Sequence, residues 1–144
     1  MDEQNGKYPT SKLKRYPHMF ALDIAIWERF LDLHGSEYLG FDYDIKVGTG
    51  TPAPEGTPDN YARMQEILSK YRIDAVGYTE SEIHVIEVKP EAGTTAIGQI
   101  DIYVPLYRRD FSPTRKVVGV IVTNRELPDV KWRIAQKNAK LFIV

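Results

Sequence analysis

Asp74, Glu87 and Lys89 are the residues whose types and spacing could do chemistry, with Gln99 and Tyr103 following them. Two β-type runs, 72–78 and 83–89, flank a short polar connection, 79–82, which reads as a hairpin. Side chains alternate along a strand, so Glu87 and Lys89 share a face. A turn centred between Glu80 and Ser81 makes paired positions sum to 161, and 74 with 87 meets that condition. The two carboxylates then stand opposite each other, with Cβ atoms roughly 5 Å apart. Like charges that close call for a cation between them, and oxygen ligands suit Mg²⁺ or Mn²⁺. The connection has no Asn-Gly or Asp-Gly, and a three- or five-residue loop would shift the pairing by one. On spacing alone, a surface hairpin whose charges merely face water stands beside the metal-site reading.

The elements around this stretch read as follows. Residues 18–34 carry Phe20, Ile24, Trp27 and Leu31 at helical spacing, a buried stripe with Glu28 on its flank, and Gly35 stops the helix. Residues 38–47 alternate as a strand, with Asp42 and Asp44 on a solvent face. A Gly/Pro-rich loop follows, then a helix over 59–70 with Asp59 as N-cap and Tyr61, Met64, Ile67 and Leu68 on its apolar side. After Pro90 comes a helix on which Gln99 and Tyr103 share a face, and Pro105 is expected to kink or shorten it. Residues 116–123, KVVGVIVT, suit a central strand buried on both faces. A basic helix over 130–138 and a last strand over 141–144 complete the chain. The reading is an α/β fold: a mixed sheet flanked by helices, in the order α-β-β-β-α-β with an extra helix after the first strand.

Asp74, then Glu87-Val88-Lys89, then a helix with Gln99-x-x-x-Tyr103, resembles the PD-(D/E)xK nuclease superfamily, and within it the RecB-type and lambda-exonuclease-like branch. Ile73, not proline, precedes Asp74, a departure often met in that superfamily. The resemblance implies a restriction-endonuclease-like core and a Mg²⁺- or Mn²⁺-dependent deoxyribonuclease. It implies that Asp74, Glu87 and the Val88 carbonyl hold the metal, that Glu28 completes the site, and that Lys89 orients the attacking water or stabilises developing charge. Gln99 and Tyr103 would position DNA. Two other readings stand beside it: a nuclease-fold module that binds DNA or protein without cutting, and a nuclease subunit active only in a larger complex; the partners expected are DNA and a homo-oligomer or larger nuclease complex.

Composition bounds the rest. The 144 residues support one domain, 18–144, behind an N-terminal arm, 1–17, read as flexible or loosely docked, with disorder preferred. There is no cysteine, which removes disulfides and thiolate metal sites. No apolar run reaches membrane-spanning length and no leader pattern opens the chain, so a cytoplasmic, intracellular protein is expected. Net charge is −1, but residues 105–144 hold nine Lys/Arg against three acids, +6, leaving −7 before them. Arg108, Arg109, Lys131, Arg133 and Lys137 are therefore candidate phosphate contacts, or simply solvated helix faces.

Overall fold

The structure, a computed structural model, describes residues 4–144. Its elements are α1 (Ala21–His34), β1 (Gly40–Val47), α2 (Asp59–Leu68), β2 (Tyr71–Tyr78), β3 (Glu82–Val88), α3 (Thr94–Phe111), β4 (Lys116–Thr123), α4 (Pro128–Ala135) and β5 (Ala139–Ile143). The five strands form one mixed sheet in the order β1-β2-β3-β4-β5. The first two pairings are antiparallel and the last two parallel. Each parallel step is bridged by a helix, α3 or α4, because parallel neighbours need a long crossover. The fold is α/β, a mixed sheet flanked by helices.

Alternation along β3 divides the core. Ile86 and Val88 pack with Trp27 and Phe30 of α1. Val85 packs with Tyr103 and Tyr107 of α3, and Glu87 lies on this second face. Trp27 is fully buried, and its Nε1–H donates to the Tyr43 hydroxyl at 3.0 Å. It is a core residue. Residues 117–123 of β4 are buried throughout, as a central strand covered on both faces must be. α3 comes so close to β4 that a Cβ on Gly119 would meet Ile100 Cβ at 3.1 Å.

The hairpin takes the register that places Asp74 opposite Glu87. Ala75 pairs with Ile86, Val76 with Val85 and Tyr78 with Ile83, each pair summing to 161. Thr79 closes the turn: its N–H donates to Glu82 O, and its Oγ1 accepts from Glu82 N–H, both at 2.9 Å. A threonine side chain thus stands in for the missing Asn-Gly.

Five expectations need correction. First, the arm docks: Tyr8 and Phe41 exchange backbone hydrogen bonds at 3.0 Å, Lys7 N–H donates to Asp42, and Tyr16 is buried. Residues 1–3 of that arm lie outside the described residues. Second, α1 starts at Ala21, and Phe20 is 80% exposed rather than part of the buried stripe. Third, α2 buries none of its residues, and Tyr61, Met64, Ile67 and Leu68 stay exposed; its N-cap is Pro58, not Asp59. Fourth, α3 continues through Pro105 to Phe111, and Tyr107 is buried. Fifth, Asp42 and Asp44 are engaged: Asp42 accepts from the Tyr78 hydroxyl at 2.7 Å, and Asp44 takes a two-pronged Arg72 bond at 2.6 Å.

Candidate active site

Past the Ala75–Ile86 pair the β2–β3 ladder ends, and side chains take over from backbone. Val88 N–H donates to Asp74 Oδ2 at 2.9 Å, while Asp74 N–H points at Glu87 Oε1 at 3.4 Å. On the other flank the pairing with β1 skips the same residue. Tyr43 pairs with Ala75 and Ile45 with Ile73, but Asp44 stands between them at φ 55. Asp74 therefore sits at a break in both of its ladders. Its amide, which a continuous ladder would have bonded to a carbonyl, points at the Glu87 carboxylate instead.

Glu87 is 4% exposed and Asp74 is half-buried. Burial pushes the Glu87 carboxyl far above the ordinary glutamate range, and the neighbouring Asp74 charge pushes it further; Lys89 opposes this only slightly. Asp74 is also raised, by burial first, against the bond from Val88 N–H. Both shifts favour a proton held by the pair when no cation is present.

The pair opens into a cleft of about 220 Å³ that Lys89, Val88 and Gln99 also line. Gln99 lies beside Tyr103 on the helix face, and its Oε1 is buried without a partner. Tyr103 is 7% exposed; burial and then the Glu87 charge raise its hydroxyl above the usual phenol value. The structure thus brings Asp74, Glu87, Val88, Lys89, Gln99 and Tyr103 together.

Glu28 is not with them. It acts electrostatically on Lys12 and Tyr16 and does not line the cleft. Asp23 of the same helix lines it instead, together with His18 and Phe20. Five residues apart on a helix means about 140° around the axis, so Asp23 and Glu28 cannot face the same way. Asp23 raises the Asp74 carboxyl and His18 lowers it, so both lie within its electrostatic reach. Spacing concealed Asp23, which doubles as a capping residue: its Oδ2 accepts from Phe20 N–H at 3.1 Å.

The five basic candidates lie away from the cleft lining, each held by a neighbour. Arg108 donates to Val117 O, Arg109 pairs with Asp110, Lys131 with Glu126 and Lys137 with Asp101, while Arg133 contacts the neutral Gln136. His84 is buried between the Tyr38 hydroxyl at 2.8 Å and Glu82 at 2.9 Å, on the opposite face from Glu87.

Among the described residues, no three His, Asp or Glu side chains come close enough to hold a metal by themselves. Two carboxylates and a carbonyl nonetheless suit Mg²⁺, which keeps several waters and takes its remaining oxygens from a substrate phosphate. Also among the described residues, no helix is long and apolar enough to cross a membrane. No family model, curated protein or solved structure matches the chain.

Proposed function

We propose that the chain is a metal-dependent nuclease with a restriction-endonuclease-like core, hydrolysing DNA phosphodiester bonds. One observation carries the reading: a strand register that places Asp74 against Glu87 where the ladder ends, in a cleft shared with Lys89 and Gln99. Two buried acids that share a proton are unfavourable for a fold unless something cationic is meant to replace that proton. Asp74, Glu87 and the Val88 carbonyl would hold Mg²⁺ or Mn²⁺. The ion would supply charge for the scissile phosphate and lower the pKa of an attacking water. The chain's own part is to release the shared proton, to present Lys89 beside the reacting oxygens, and to hold the nucleotide over the pair with Gln99 and Tyr103.

The test is incubation of pure protein with linear, circular, nicked and single-stranded DNA in Mg²⁺, Mn²⁺ or EDTA. Cleavage with metal and none with EDTA is expected, and Asp74→Asn and Glu87→Gln should abolish it. A folded protein that binds DNA but cuts no form of it with either metal would instead be a binding module on a nuclease-like fold.

A further inference from the structure

The chain breaks two local rules within three residues at the mouth of this cleft. His18 adopts φ 65, a left-handed conformation uncommon outside glycine. Phe20 occupies the N-cap of α1, where Ser, Thr, Asp or Asn would accept a backbone N–H and a phenyl ring cannot. Only Asp23, reaching back to Phe20 N–H, caps this end. The ring is 80% exposed and belongs to none of the three packed apolar clusters. Phe20 therefore contributes nothing to the core and works against the helix it opens. Departures of this kind gather where a site needs them.

A second aromatic stands near the cleft. Tyr71, 48% exposed, leans on buried Tyr103 with ring centroids 5.4 Å apart, and Tyr103 feels the Glu87 charge. Phosphate attraction is weak here. Asp23, Asp74 and Glu87 outnumber Lys89 and His18 along the lining, and four of the five basic candidates already hold an acid or a carbonyl. Beyond an ion held at Asp74 and Glu87, the lining offers little charge to the rest of a polyanion, and an exposed aromatic ring offers a base to stack on. In a duplex the base faces are already stacked on their neighbours, so only an unpaired nucleotide can use it.

We propose that Phe20 is a stacking platform for an unpaired base beside the phosphate held at Asp74 and Glu87, making single strands or frayed ends the substrate class of this site. The inference rests on the nuclease reading above. The full chain is mixed in Ca²⁺ with a short single-stranded oligonucleotide carrying 2-aminopurine and with the matching blunt duplex, and cleavage of both is followed separately in Mn²⁺. The single strand should bind at least about tenfold tighter than the duplex, with quenching of the probe, since its unpaired base has a free face to stack on the ring. Phe20→Ala should lose about that factor, and Phe20→Trp should retain it. Phe20→Ser should lose it too while melting higher than the parent, because serine caps the helix. That opposite movement separates a ligand-binding ring from a structural one.

Parent-like single-strand binding by both Phe20→Ala and Phe20→Ser, or equal affinity for blunt duplex, overturns the platform. Metal-dependent cutting that is indifferent to Phe20 overturns it while sparing the nuclease reading. Ring-dependent binding without any cutting does the reverse.

Discussion

The backbone N–H of Val88 donates to the carboxylate of Asp74 at 2.9 Å, across the point where the strands carrying them stop pairing. A side chain thus fills a place in the sheet that a carbonyl would otherwise take. The same carboxylate lies against Glu87 and at the cleft. Any cation that draws it away from Val88 must compensate that amide. The site and the sheet therefore compete for one group.

Replacing Glu87 by Gln keeps an oxygen toward Asp74 N–H and spares the fold the cost of keeping a glutamate protonated above its ordinary range. Without metal the variant should be more stable, by about 1 kcal/mol. Added Mg²⁺ or Mn²⁺ should raise the melting temperature of the parent and hardly move that of the variant, because a ligand stabilises only the state that binds it. Thermal melts in EDTA and in metal decide this; equal metal responses would remove the proposed centre.

Both acids are raised in the folded state, so folding retains protons that the unfolded chain releases. Stability contributed this way is complete below the ordinary glutamate value of 4.5 and declines as pH climbs from there toward the raised folded value. In EDTA the melting temperature should fall from about pH 5 to about pH 9, and Glu87→Gln should flatten that fall. Metal affinity should run the other way and tighten with rising pH, since binding expels the shared proton. A parent profile in EDTA as flat as that of the variant would show that no proton is shared.

The basic surface should contribute unevenly to nucleic-acid binding. Lys131 and Lys137 each bring an acid of their own, whereas Arg133 faces a neutral glutamine. Arg133→Ala should lower the salt slope of DNA binding by about 0.9, and Lys131→Ala or Lys137→Ala by less. Changing all three should leave metal binding intact. An unaltered slope in the triple variant would mark this face as solvated surface only.

The N-terminal arm depends on two glycines. Gly6 has φ 91 and a Cβ there would lie 2.5 Å from Phe41 O; a Cβ on Gly40 would lie 2.2 Å from Asn5 O. Gly6→Ala should cost about 1–3 kcal/mol, lower the melting temperature by several degrees, and uncover the edge of β1 to association. Light scattering on heating would register the second effect. A variant that melts and scatters like the parent would mean the arm contributes nothing to the edge.

Where short-range pattern and tertiary packing agree, the sequence was readable. Residues 116–123 are apolar almost without break and form the covered central strand, and the hairpin register followed from where the polar connection lies. Phe20 was misread because helical spacing runs on past the true start of the helix: a residue before the first turn no longer projects along the stripe. Asp23 and Glu28 show the complementary limit. Periodicity says which residues share a face but not which face meets the end of the sheet. The arm lay beyond reach for another reason, since its docking needs Gly6 to meet Phe41 and Gly40 to meet Asn5 from far apart in the chain.

α2 buries none of its side chains, and the attachments around it are local: Thr51 N–H to Ser69 Oγ, and Gly50 pressed against Glu66 O. Melting this helix would therefore expose little new apolar surface. Its amides should exchange with solvent through small openings that are nearly insensitive to denaturant, long before those of β3 and β4, which wait for the whole domain to open. A protease would find its first foothold here, and the rate of that cut would report the population of the opened helix rather than the stability of the fold.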